Sequence, residues 1–272
     1  MERSLAGVLF LISGIAFSLA TGGWWMQRIV FTPDDTRATA AAMLEEPDIR
    51  LELNTVITGA AAQAIEQSTE QLSTTLETVV LSSRSGAAVL APLMRQAHER
   101  VIGLRDDKPL EVTGLELIPI VRDERAADVQ PFTMPIQPIG VLKTTRSVIG
   151  WLIPVGAALG IVALALGLVA RPDRRDVLRG LGELGLAIAG SMVVFGYLIP
   201  VQFLTAIDNR TWTHAIPRLA VRTLPVVLGS AAIFAVGGVA LIIASTTNNK
   251  RRQWSTPLSV ARYNGGDNPG WG

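Results

Sequence analysis

Two histidines, His98 and His214, are the only imidazoles in the chain, and they lie far apart in the sequence; there is no cysteine. Without cysteine the chain can build no disulfide framework, thiolate nucleophile, thiolate zinc site or iron–sulfur cluster. Two isolated histidines also argue against a histidine-based metal site. An exported hydrolase would have only His98 or His214 to serve as a histidine base. His98 lies beside Glu99 and Arg100 and reads as a solvated position on a helix face. His214 falls in "NRTWTHAIPRLAVR" (Asn209 to Arg222), which reads as a short amphipathic segment on the membrane surface. "RPDRRD" lacks the glycines that cradle a phosphate. No catalytic residue, cofactor site or metal site is assigned from the sequence, and the chain is expected to be non-enzymatic.

What the sequence does carry is small residues at four-residue spacing inside apolar runs: Gly14, Ser18 and Gly22 in one, Gly156 and Gly160 in another, and more weakly Gly185 with Ala189. Such seams let helix backbones approach closely in lipid, where association depends on packing. They serve either a membrane-protein partner or packing within the chain's own helices. Pro154, Pro200 and Pro225 lie near the ends of apolar runs, where they are tolerated or shape a vestibule.

The elements that hold these seams follow from hydropathy. The chain is 49% hydrophobic with a mean hydropathy of +0.37, and the excess is concentrated in four runs: Leu5 to Met26, Val148 to Ala170, Leu181 to Leu204 and Leu224 to Ser245. Each is about the 20 residues a helix needs to cross a bilayer. The fold class expected is a mainly α integral membrane protein with four transmembrane helices and a largely helical extracytoplasmic domain carrying a short extended segment. The divisions are residues 1–26, 27–147, 148–245 and a tail at 246–272 that is disordered unless docked. Glu183, at the edge of the third run, is one turn after Arg179 and reads as its interfacial ion-pair partner.

Orientation follows from basic residues in short loops. Arg171, Arg174 and Arg175 lie between the second and third runs, and Lys250, Arg251 and Arg252 follow the fourth. Both groups are assigned to the cytoplasm, with both termini inside and residues 27–147 outside. Arg210, Arg218 and Arg222 oppose this bias without reversing it. "SLA", Ser18 to Ala20, would pass as a signal-peptide cleavage site. The apolar run nevertheless continues to Met26, and Trp24, Trp25 and Arg28 then form an interfacial anchor, so an uncleaved first span is expected.

Within the outer segment, "FTPDD" reads as a helix start with Thr32 as N-cap and Pro33 at N1, running to about Leu44. A second helix restarts at Pro47. A third holds Leu72, Leu76, Val79 and Val80, and a fourth runs from about Ala87 to Gly103. "LEVTGLELIPIV" alternates and reads as extended, and "QPFTMPIQPIGV" as a proline-bound strap. The segment holds 12 Lys and Arg against 17 Asp and Glu, a balance of −5, which leaves +6 for the rest of the chain. An acidic outer domain over a basic inner face excludes nucleic acid as the outer partner and suits membrane lipids as the inner one.

The "WW" rim followed by "FTPDD", "EEPDIRLELNTVITGAAAQAI", "LEVTGLELIPIV" and "RPDRRDVLRG" together resemble a family of actinobacterial four-span membrane proteins with an exported domain between spans one and two. The resemblance covers about residues 1–245 and brings no activity with it. In general type the chain is also similar to small accessory subunits of the actinobacterial respiratory cytochrome supercomplex. The function expected is an accessory or scaffold subunit of a larger cell-envelope complex. The alternative is a lipid-handling or transport-associated membrane protein.

Overall fold

The computed structural model describes residues 2–34, 36–105, 109–170, 174–203, 206 and 210–254. Arg171 and the tail beyond Trp254 lie outside the described residues. Among the described residues, four helices are long and apolar enough to cross a membrane. The first is α1 (Glu2–Val30). After it come α2 (Arg37–Leu44), α3 (Pro47–Ala61), α4 (Thr69–Thr75) with a π-helical continuation Leu76–Leu81, and α5 (Arg84–Val101). A strand β1 (Leu110–Val112), helix α6 (Gly114–Val121), a 3-10 turn (Glu124–Asp128) and β2 (Phe132–Met134) complete the inter-span domain. The remaining long apolar helices are α7 (Gly140–Ala170), α8 (Arg174–Val193) with a π-helical stretch Val194–Phe203, and α9 (Ala215–Trp254), which a 3-10 turn (Thr211–His214) introduces.

The spanning helices form a row. α1 packs along α7 on one side and α8 on the other, and α8 packs along α9. The two central helices are correspondingly the more buried, and α9 at the flank is the least. Large apolar side chains on the flanks, such as Trp151 and Val169 on α7 and Ile233 on α9, are exposed, as suits a surface that meets lipid. Chain direction puts the start of α7, the end of α1 and the start of α9 at the end that carries the inter-span domain. The end of α7, the start of α8 and the C-terminal end of α9 lie at the opposite end.

The domain core is continuous with the tops of the spans: Leu53, Leu76, Leu90 and Leu117 belong to one buried cluster with Met26, Val30, Ile149, Ile216 and Val227. β1 and β2 pair antiparallel, Leu110 opposite Met134 and Val112 opposite Phe132. The proline strap after β2 runs without helix or strand to Gly140, as Pro135 and Pro138 favour.

Several local expectations are corrected. Helix α2 begins four residues later than expected. α1 runs on to Val30, and the Thr32 hydroxyl donates back to the Gln27 carbonyl at 3.0 Å instead of capping a new helix. The N-cap is Thr36, whose side chain accepts from Thr39 N–H. Asp34 in turn accepts from the backbone N–H and hydroxyl of Thr36, the geometry of an Asx turn. "TGLELIPIV" is not extended beyond Val112. Thr113 and Glu116 form a capping box, with Glu116 Oε2 2.8 Å from the Thr113 N–H, and the apolar run after it is α6. α5 starts at Arg84, where Ser83 accepts from Gly86 N–H, rather than at Ala87. It closes at Gly103, whose φ of 70° is the left-handed conformation glycine tolerates. His98 is not a solvated residue: it is 4% exposed. Finally, Trp212 to Arg222 is not a separate amphipathic segment. From Ala215 onward it is the first two turns of α9, carried up into the domain.

Candidate functional site

The small residues divide between two environments. Gly156 sits where a Cβ would come within 3.0 Å of the Ala16 carbonyl, and Gly160 where it would meet the Phe17 ring at the same distance. Ser13 on α1, fully buried, donates to the Gly160 carbonyl at 3.0 Å and pins the same contact. A Cβ on Gly22 would strike the Phe195 ring. These three glycines therefore face helices of their own chain. A mutual close backbone approach lies between α8 and α9. A Cβ on Gly182 would be 2.6 Å from the Gly238 carbonyl, and one on Gly238 would be 2.7 Å from the Gly182 carbonyl. Sequence reasoning picked out Gly185 but missed Gly182 and Gly238. The pair "GELG" and the doublet "GG" at 237–238 were the available signals.

Gly14 and Ser18 have a different setting. With Gly7, Phe10 and Ile15 of α1 and Gly180, Glu183 and Leu184 of α8, they line an open groove of about 340 Å³. The nearest atom to a Cβ on Gly14 would be Leu184 Cδ1 at 4.0 Å, so α8 does not fill the space. The Ser18 hydroxyl has no hydrogen-bond partner among the described residues. At the groove's far end Arg179 Nε bonds Glu183 Oε1 at 2.9 Å, the expected one-turn ion pair.

The interfacial anchors also separate. Arg28 stacks over the Trp24 ring, 5.6 Å from its centroid, and Trp24 is half exposed. Trp25 meets Trp24 edge-to-face at 5.1 Å but is buried in the core cluster. Only Trp24 is available to a membrane interface, and the expectation for Trp25 is corrected. Arg174 and Arg175 are exposed at the end opposite the domain, and Lys250, Arg251 and Arg252 lie on the last turns of α9 at that same end.

At the domain end, polar contacts clamp α9 to the inter-span domain. Trp212 Nε1 donates to Glu52 Oε1 at 3.1 Å, Arg218 Nε meets Glu46 Oε2 at 3.2 Å, and Arg222 donates to the Thr39 hydroxyl. His214 Nδ1 lies 3.9 Å from Asp48 Oδ2. The ligand atoms of Glu46, Asp48 and His214 fall within 4.8 Å of one another. Arg218 already occupies Glu46, and Asp48 faces the α3 N-terminus and solvent, so the group works as an ion-pair clamp.

His98 lies on the neighbouring side of the domain. Its Nε2 is 2.7 Å from the carbonyl of Val30, the last residue of α1. A carbonyl only accepts, so Nε2 carries the proton and the ring is held as that tautomer. Burial lowers its pKa, and the Val30 carbonyl and the charges of Asp34 and Glu99 oppose that only in part. At Asp34 burial pushes the carboxyl up, but hydrogen bonds from Thr39 and Thr36 and the charge of Arg222 outweigh it, and the pKa falls below the usual range.

Comparison with protein-family models, with curated proteins and with solved structures returns no match to this chain.

Proposed function

We propose that this chain is a non-enzymatic accessory subunit of a larger membrane complex, and that a spanning helix of a partner docks in the α1–α8 groove. The observation that carries the reading is the groove itself: Gly7 and Gly14 lie on its α1 wall, with apolar side chains such as Phe10, Ile15 and Leu184 along it. Gly14, whose Cβ would meet no atom of its own chain closer than 4.0 Å, leaves room for another backbone. In keeping with the actinobacterial resemblance, a respiratory cytochrome assembly is the first complex to test. Replacing Gly14 and Ser18 with leucine would fill the groove. We expect normal abundance of the variant and a loss of about 1–2 kcal/mol of association, roughly tenfold or more in partner recovery after mild-detergent purification. Undiminished recovery of a stoichiometric partner would falsify the docking role of the groove. A chain that purifies alone with a defined lipid would favour the lipid-handling alternative.

The proposed orientation places both termini in the cytoplasm and residues 27–147 outside the cell membrane. The basic residues at the end opposite the domain support it. A reporter fused at residue 75 should read as external, and one fused at the C-terminus as cytoplasmic. Two fusions reading on one side would sink the four-span topology.

A further inference from the structure

The arginines that run against the orientation bias have a place in the structure. Arg218 and Arg222 of α9 converge with Arg37 of α2 and Arg84 of α5 around a cavity of about 400 Å³, with Glu45 as the one carboxylate of its lining. These residues come from three separate elements, and Arg37 and Arg84 belong to a segment whose balance is acidic, so their meeting is not a product of bulk composition. Arg218 and Arg222 are held in position by Glu46 and by the Thr39 hydroxyl. Arg37 and Arg84 are exposed and have no hydrogen-bond or ion-pair partner among the described residues. Convergent guanidiniums, some braced and some uncommitted, match the oxygen array of a phosphate group.

What lies beneath the cavity decides between a soluble phosphate and a lipid. Arg222 stands two residues before the apolar run of α9. Positions 226, 229, 233 and 236 follow it at spacings of four and three, so they line the same face of the helix. Val226 is 61%, Ile233 75% and Val236 70% exposed, and a Cβ on Gly229 would meet nothing within 4 Å. A charged socket directly above a bare apolar stripe has the shape of an amphiphile.

We propose that Arg37, Arg84, Arg218 and Arg222 hold the phosphate of an anionic phospholipid whose acyl chain lies along Val226, Gly229, Ile233 and Val236. The inference rests on the spanning role of α9 and is independent of the accessory-subunit reading. It also explains why basic residues sit at the end where the orientation rule disfavours them.

The test uses the full chain in detergent, with native mass spectrometry reading retained phosphatidylglycerol, phosphatidylcholine or added inorganic phosphate. Phosphatidylglycerol should be retained at least about tenfold better than phosphatidylcholine. The double variant Arg37→Gln with Arg84→Gln removes only exposed side chains and should lower that retention about tenfold or more. Val226→Trp obstructs the stripe and leaves every charge in place; it should lower retention as well, and it keeps the test open if the double variant does not accumulate. Equal retention of the two lipids overturns the proposal, as does undiminished retention by either variant. Displacement of phosphatidylglycerol by equimolar inorganic phosphate would also overturn it, by showing a socket for the soluble anion.

Discussion

Replacing Gly182 with leucine should separate α8 from α9 and cost about 3 kcal/mol or more. The cost arises because the obstruction is backbone. Each glycine of the Gly182–Gly238 pair leaves the other's carbonyl less than 3 Å from where a Cβ would stand, and a carbonyl in a helix cannot rotate aside as a side chain can. The close approach also brings Cα–H groups to carbonyls, a contact that lipid cannot supply. The fitting control is Gly190→Leu in the same helix, where a Cβ would meet nothing within 4 Å. Thermal unfolding of both variants in one detergent should show a large drop for Gly182→Leu and little change for Gly190→Leu. Equal melting temperatures would mean that the two helices do not meet there.

His98→Ala should destabilise the inter-span domain by about 3 kcal/mol, combining a cavity with a buried Val30 carbonyl that has lost its donor. His98→Gln can restore an N–H donor and should recover part of the loss. The same residue sets a pH dependence. Because burial lowers the folded-state pKa, the unfolded chain binds the proton first as the pH falls. The stabilisation is therefore complete above the unfolded value of about 6.5 and declines as pH drops below it towards the folded value. Asp34 and Glu99 are the charges that temper the effect. Melting temperatures taken at pH 7.5 and at pH 5.5 should differ more for the native chain than for His98→Gln. An equal pH response in the two would show that His98 does not carry it.

What the sequence disclosed and what it hid divide along physical lines. The four spanning helices were legible because about 20 apolar residues in a row have few other uses, although α7 and α9 extend well past their apolar runs into the domain. The helix starting at Pro47 was legible from its own proline. The α6 start was equally local: Thr113 and Glu116 have capping-box spacing, but the alternation of Leu110, Val112, Leu115 and Leu117 masked it. Thr36 was overlooked for Thr32 because both threonines precede acceptable first turns, and only the continuation of α1 to Val30 decides between them. His98 could not have been placed at all, since its partner is 68 residues away in another helix. The same holds for the groove. The four-residue spacing identifies Gly14, Ser18 and Gly22 as one stripe, but it takes Phe195 above and the gap beside Leu184 below to split that stripe into a filled end and an open one.

The Ser13–Gly160 hydrogen bond also sets a clock. Its two partners are 147 residues apart, and α1 leaves the ribosome first. At roughly 5–20 residues per second, α1 is complete on the order of ten seconds before α7 arrives to cover its small-residue face. During that interval the face that α7 will take is as open to a neighbouring protein as the groove is in the finished chain. Synthesis order, as much as final geometry, then determines which helix reaches α1 first.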